Sequence, residues 1–434
     1  MPSDGVTSKV GKLKRELTLF DVTMYGIGVI LGAGIYALIG PAAGLAGNAL
    51  WISFGIAAII AALTGLSYAE LAAMYPKASA EYIFVQKAFG WRSFSFLVGW
   101  LMMYVTIVAA ATVSLGFGGY LSALTGVPAM VGSLGLIAAL TAFNIWGIKE
   151  SSRLNIVLTS VEVVGLLLII ILGFGHYGTV NYFETAGIPN GIFLAAILVF
   201  FAYLGFEDMD AVTEETKKPR RNIPRALLIS VAITTILYMA VSIAAVSIMP
   251  WQTLAASSAP LADVAASVLP GSGWLLSLIA LTATSSTVLI LLIAGSRLAY
   301  GMANEGSLPR PLRIIHPSRC TPWIAVLLMG ILSAALALIG KIEIVANMTD
   351  LGAFLIFVFV NLAVVTLRFT KPREPRPFRV PLNIGRFPIL PAIGAVFCAY
   401  MLFQFNLMML AFGCVVLVIG AIVYVVLLKA GKIR

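Results

Sequence analysis

Twelve apolar stretches follow one another along this chain, separated by short polar segments. They lie roughly at 20–40, 47–73, 93–122, 129–147, 152–174, 191–212, 225–249, 273–303, 322–340, 345–368, 388–404 and 406–428. A helix needs about twenty apolar residues to cross the ~30 Å hydrocarbon layer of a bilayer. Within that layer backbone N–H and C=O groups have no water partners, so only helices and closed barrels can span it. Stretches of this length therefore specify an all-α membrane protein of twelve transmembrane helices. The composition agrees: 60% of the 434 residues are hydrophobic, 11% are charged and the mean hydropathy is +1.02. Soluble domains carry about twice that share of charge. The first stretch is too long for the core of a cleaved signal peptide and lacks a cleavage-type flank, so it is expected to stay in the chain.

The net charge of +10 could suggest nucleic acid as a partner, but its distribution points to the lipid bilayer instead. With the spans placed as above, 27 of the 28 Lys and Arg residues fall on one face and only Lys341 falls on the other. The positive-inside rule then puts both termini in the cytoplasm, which fits a multi-pass protein of the cell membrane. No cofactor is expected. Cys320, Cys398 and Cys414 lack metal or redox spacing. His176 and His316 fall on opposite sides, so no histidine metal site is expected.

Two stretches carry an interruption. Residues 26–40 read GIGVILGAGIYALIG, with Gly26, Gly28, Gly32, Gly34 and Gly40 inside one span. Each interior glycine costs a helix roughly 1 kcal/mol relative to alanine. Glycine also lets helices pack closely. A second break distinguishes the two uses. Residues 193–226 read FLAAILVFFAYLGFEDMDAVTEETKKPRRNIPRA, where Gly205 interrupts the span and Glu207, Asp208 and Asp210 follow. The two breaks lie five spans apart, so two five-span units would run in opposite directions. That is the signature of an inverted repeat with its site between two broken helices. A half-helix N-terminus after the first break would offer N–H groups and a positive dipole to a carboxylate.

Span 5 contains one ionisable residue, Glu162, nine residues beyond Arg153. At 1.5 Å per residue it lies about 14 Å deep, near the bilayer centre. An intramembrane acid is expected to face a cavity or a partner. Span 8 carries Thr282, Thr284, Ser285, Ser286 and Thr287, hydroxyls that can bond their own helix or serve a titrating group. Glu70 and Glu81 are expected to pair with nearby Lys77 and Lys87 at the inner mouth. The segment 371–386, KPREPRPFRVPLNIGR, is expected to lie extended against anionic headgroups.

With GIGVILGAGIY, SYAEL…AEY and FFAYLGFED…TEETKKPRRNIPRA in place, nearly the whole chain resembles the amino acid–polyamine–organocation (APC) transporters, particularly their cationic amino acid branch. The resemblance implies the LeuT-type fold, a five-plus-five inverted repeat with two further helices. It divides the chain into a tail (1–19), a first repeat (20–175), a second repeat (191–368), a linker (369–387) and a two-helix hairpin with tail (388–434). It implies that Ala33 and Gly34 N–H groups meet the substrate carboxylate, with Gly32 giving room. It also implies that the carbonyls of Ile30, Phe201 and Leu204 meet the ammonium, and that Phe201, Tyr203 and Phe206 cover or gate the site. Ser285 and Ser286 match the span-8 region that binds sodium in sodium-coupled members of the wider fold. Glu162 stands where some proton-coupled relatives have a lysine, and Glu207 is a second proton or ammonium candidate.

The sequence is thus read as a secondary active amino acid transporter with H+ as coupling ion, and not as an enzyme. An exchanger without net ion flux is the rival within the class. A channel or an amino-acid sensor is the rival outside it. The apolar lining expected around Tyr104, Thr106 and residues 352–354 leans to neutral substrates, against the cationic look of span 6. The oligomeric state stays open.

Overall fold

The computed structural model describes residues 17–75, 80–146, 152–207, 209, 216–304, 306–317, 319 and 321–430. Asp208, Asp210, Lys77, Lys149 and Cys320 lie outside these. Among the described residues the regular structure is helical apart from one short hairpin, β1 (Asn383–Ile384) against β2 (Phe387–Pro388). In order the helices are α1 (Leu19–Leu31), α2 (Gly34–Ala46), α3 (Leu50–Met74), α4 (Ala80–Phe89), α5 (Arg92–Thr125), α6 (Ala129–Trp146), α7 (Ser152–Leu172) and α8 (Gly191–Phe200). Then follow α9 (Pro219–Ile248), α10 (Trp251–Ala256), α11 (Pro260–Val268), α12 (Gly273–Asn304), α13 (Trp323–Ala337), α14 (Ile342–Thr370), α15 (Ile389–Leu402) and α16 (Leu407–Lys429).

Among the described residues, eight helical stretches are long and apolar enough to cross a membrane. Four apolar ones are shorter: Leu19–Leu31, Gly191–Tyr203, Trp323–Ala337 and Ile389–Leu402. Apolarity alone counts an interrupted span as one continuous helix, because hydropathy does not register a change of backbone direction. The first span is two helices, and the helix of the sixth is interrupted after Tyr203, with 208 and 210–215 outside the described residues. The short helices α4, α10 and α11 sit between spans and were not expected from apolar length.

Local chemistry sets the ends. Thr18 and Asp21 form a capping box at the start of α1, with Thr18 N–H donating to Asp21 at 2.8 Å. Pro219 opens α9 at a first-turn position, where its missing N–H costs nothing. The two interrupted regions are joined outside the helices as well. Leu17 and Thr216 form a parallel bridge, and Lys217 N–H donates to the Leu17 carbonyl at 2.8 Å.

Buried polar ties hold the bundle where hydrocarbon offers no alternative partner. On α3 and α14, Ser67 donates to Asn361 Oδ1 at 2.6 Å, and Asn361 Nδ2 donates to Thr64 at 3.1 Å. One turn beyond Ser67, Glu70 takes a two-pronged bond from Arg368, Nε at 2.8 Å and Nη2 at 2.6 Å. Arg376 lies 3.3 Å from the same carboxylate, and Val380 N–H donates to it at 2.8 Å. This corrects one expectation: Glu70 pairs with distant arginines. Glu81 accepts from Tyr68 at 3.2 Å, and its expected partner Lys77 lies outside the described residues. The 371–386 segment is anchored on the bundle by Glu70, whose two oxygens accept from Val380 N–H and face Arg376. Arg368 and Arg376 mark the basic end of the bundle.

Glu70 and Arg368 are 1% and 3% exposed, so removing one partner strands a buried charge. Arg368→Ala is expected to cost about 3–5 kcal/mol, read as a lowered Tm in detergent. Glu70→Ala added to it should cost much less than a second such loss, and an unchanged Tm in Arg368→Ala would contradict this role.

Candidate functional site

The two interruptions meet. α1 ends at Gly32, whose backbone (φ 10, ψ −145) leaves the helical region, and α2 restarts at Gly34. α8 tightens into a 3-10 turn over Phe201–Tyr203, then Leu204 is extended (ψ 144) and Gly205 takes φ +113. That positive φ favours glycine strongly. A Cβ on Gly34 would overlap the backbone of Ala202, and one on Gly205 would come within 2.9 Å of the Val29 carbonyl oxygen. The two unwound segments therefore lie backbone against backbone, each through its own glycine. The space that a side chain at Gly34 would need is taken by Ala202.

Side chains tie the crossing. Tyr238 of α9 places its hydroxyl 2.7 Å from the Ile30 carbonyl and 2.9 Å from the Ala202 carbonyl, donating its proton across both broken segments. Glu207 accepts from Gly205 N–H at 2.9 Å and so caps the second break from within. Thr287 of α12 lies over Gly32, where a Cβ would come within 2.7 Å of its hydroxyl.

Beside the crossing is a cavity of about 60 Å³. Ile30, Gly32, Ala33, Gly34, Phe201, Leu204 and Glu207 line it, and Met102, Val105, Ala109, Val113, Ile290 and Leu291 form an apolar, largely aliphatic wall with Thr106, whose hydroxyl donates to the Met102 carbonyl, among them. Two of the expected site residues are absent from the lining. Tyr203 turns to donate to the Phe54 carbonyl at 3.1 Å, and Phe206 packs between Tyr68 and Phe357. The N–H groups of the first turn of α2 have no intrahelical acceptors, as at any helix start.

Glu162 of α7 is 2% exposed. Ser286 Oγ lies 3.4 Å from its Oε1 and also donates to the Ala283 carbonyl at 2.9 Å. Glu162 Oε2 and Thr159 Oγ1 are buried without a partner among the described residues. Ser285 instead donates to Leu281 on its own helix at 2.6 Å. Only the second serine of the pair reaches the acid, because successive helical side chains point about 100° apart.

The end of the site away from the basic residues is closed. Tyr36 of α2 donates to the Glu162 carbonyl at 3.0 Å, and Tyr120 of α5 donates to the Tyr36 carbonyl at 3.0 Å. Leu261 N–H, from α11, donates to Tyr120 at 3.3 Å. Gly40 packs on Leu254 and Pro260 of the α10–α11 cover. Tyr36, Tyr120, Leu254 and Leu261 are all fully buried.

A sequence profile described as amino acid permease matches residues 17–428. The chain belongs to the amino acid permease family of the APC superfamily. The permease is 32% identical to a branched-chain amino acid permease of Bacillus subtilis, over 96% of this chain and 94% of that one. It is 32% identical to a methylthioribose transporter of Bacillus subtilis, over 92% and 90%. It is also 32% identical to human cationic amino acid transporter 4, over 84% of this chain and 61% of that one.

Sequence reasoning missed the tyrosine ties of the permease. Tyr36, Tyr120 and Tyr238 each stand within an apolar stretch. A buried tyrosine hydroxyl needs a partner. That was a usable signal, though it does not name the partner. Thr287 sat in the noted hydroxyl cluster without a role.

Gly34→Ala should lower the Tm and abolish ligand-induced stabilisation, since overpacking against backbone costs about 1–3 kcal/mol. Gly135→Ala, where a Cβ meets nothing within 4 Å, is the control and should be neutral or slightly stabilising. Equal behaviour of the two variants in a thermal-shift assay would contradict the crossing.

Proposed function

We propose that this permease is a secondary active transporter of neutral aliphatic amino acids, working by alternating access in the cell membrane with H+ as coupling ion. The observation that carries it is the aliphatic wall beside two unwound backbone segments. The wall suits a branched apolar side chain, and no lining side chain except Glu207 is charged. The first-turn N–H groups of α2, at Ala33 and Gly34, suit an α-carboxylate. Carbonyls of Ile30, Phe201 and Leu204 suit an α-ammonium, and Phe201 suits a cover. The similarity to a branched-chain amino acid permease supports the same substrate class.

The two breaks five spans apart support a LeuT-type five-plus-five repeat with an added α15–α16 hairpin, and the basic residues support cytoplasmic termini. A cavity of about 60 Å³ holds a few waters, well below the roughly 300 Å³ of ordinary ligand pockets. The site must therefore widen to admit an amino acid, as alternating access requires. The closed end implies that it widens from the basic end first.

Glu162, buried beside Ser286 and on the helix packed against α1, is the proposed proton carrier. The similarity to cationic amino acid transporter 4 supports a second reading, in which Glu207 receives a cationic side chain. Proteoliposome uptake separates the two. Leucine, isoleucine and valine should accumulate under an imposed inward proton gradient, and lysine and arginine should compete weakly. Glu162→Gln should retain counterflow at equal pH and lose gradient-driven accumulation. Accumulation of lysine in preference to leucine would favour the second reading. Accumulation by Glu162→Gln would remove Glu162 as the carrier.

A further inference from the structure

A second acid lies inside the bundle and outside the amino acid site. Asp350 of α14 is 0% exposed, and neither of its carboxyl oxygens has a hydrogen-bond partner among the described residues. It does not line the central cavity. Nine residues separate it from Lys341, about 14 Å along the helix, so it stands at membrane depth. An ionised carboxylate with no partner is not tolerated in such surroundings, and intramembrane acids are functional by default.

Its place on the helix says what it responds to. Phe354 and Phe357, four and seven residues further on, share its face of α14. Both pack on Phe200 of α8, with ring centroids 4.5 and 6.0 Å apart. Asp350 thus lies on the side turned to the first half of the second broken helix, one turn nearer the closed end. Among the described residues, the elements packed on α14 bring it no charge there, and Glu343, seven residues back on α14, is exposed at the first turn. α8 has no ionisable side chain. Tyr104 donates to the Met348 carbonyl at 2.9 Å, and Tyr36, Tyr120 and Tyr203 are bonded to other carbonyls as described. Tyr68 and Glu70 of α3, Glu81, Tyr82 and Lys87 of α4, and Arg92 of α5 belong to the basic end. Cys398 and Tyr400 of α15, and Cys414, Tyr424 and Lys429 of α16, make no hydrogen bond or ion pair with Asp350.

We propose that Asp350 is a second proton site, distinct from Glu162, which controls opening at the end opposite the basic residues. It holds its proton while α14 packs on α8. When those elements part, water reaches the carboxyl group, the O–H bond breaks and the proton passes to that water. Closure requires the proton back. The proposal rests on the alternating-access reading above.

The test labels the closed end directly. Ala37 of α2 is buried on α5 and becomes reachable when that end opens. Ala37→Cys is expressed in intact cells and treated with a membrane-impermeant maleimide over a range of external pH. The same is done with Asp350→Asn added, which keeps the shape and cannot ionise. With Asp350 present, labelling should accelerate severalfold more steeply with rising pH than in Asp350→Asn, whose slope reports the thiol's own ionisation. If Asp350→Asn does not fold, Asp350→Val makes the same comparison. Equal pH slopes with and without the acid overturn the proposal. So does labelling that responds to sodium at fixed pH and not to protons. Absence of amino acid uptake by the unmodified protein overturns the transport reading, and the labelling comparison still decides Asp350.

Discussion

Everything at the centre of this permease depends on two stretches of backbone lying against each other inside hydrocarbon. Gly34 against Ala202 and Gly205 against Val29 leave no space for side chains between them. Such proximity would be ruinous in lipid if the freed N–H and C=O groups faced acyl chains. Here they face each other, a small cavity, the Glu207 carboxylate of the second break itself, and two groups from neighbouring helices, the Tyr238 and Thr287 hydroxyls. The same polar backbone that must be shielded from lipid is what a zwitterionic ligand can use. Breaking the helices and building the site are one structural event.

Around the crossing, the ends of the bundle are held by different means. At one end a chain of tyrosine hydroxyls runs from Glu162 through Tyr36 and Tyr120 to the α11 backbone. These are neutral hydrogen bonds, each worth about 1 kcal/mol net, and they can exchange partners as helices move. At the other end Glu70, Arg368 and Arg376 form a buried ionic knot that also fixes the linker after α14. Breaking one partner there costs several kcal/mol. The asymmetry suits a fixed frame around α3 and α14 and a more adaptable closure around α2, α5 and α11.

Much of this was legible in the sequence, for identifiable reasons. Apolar length gave the membrane class, and glycine spacing gave both breaks, because hydrocarbon and backbone geometry leave few alternatives. Glu162 and the span-8 hydroxyls stood out as polar features in apolar spans, but it is helical phase that brings Ser286 rather than Ser285 to 3.4 Å from the acid. Long-range partners were not legible. Glu70 had lysines close in sequence, yet it binds arginines some 300 positions away, as the Arg368 bond separated by 298 residues illustrates. Tyr203 and Phe206 looked like gate residues by position, but packing turned both from the cavity. Asp350 passed unnoticed in a span chosen for its apolar neighbours.

The central claim is that an amino acid is held by the unwound backbone at this crossing. A cryo-electron microscopy structure of the protein with L-leucine bound tests it most directly. The account predicts density whose carboxylate meets the Ala33 and Gly34 N–H groups, whose ammonium meets the carbonyls of the Ile30 and Phe201–Leu204 segments, and whose side chain lies on Val105, Ala109 and Ile290. Leucine density away from both breaks, with the cavity beside Gly34 and Ala202 unchanged, would contradict it.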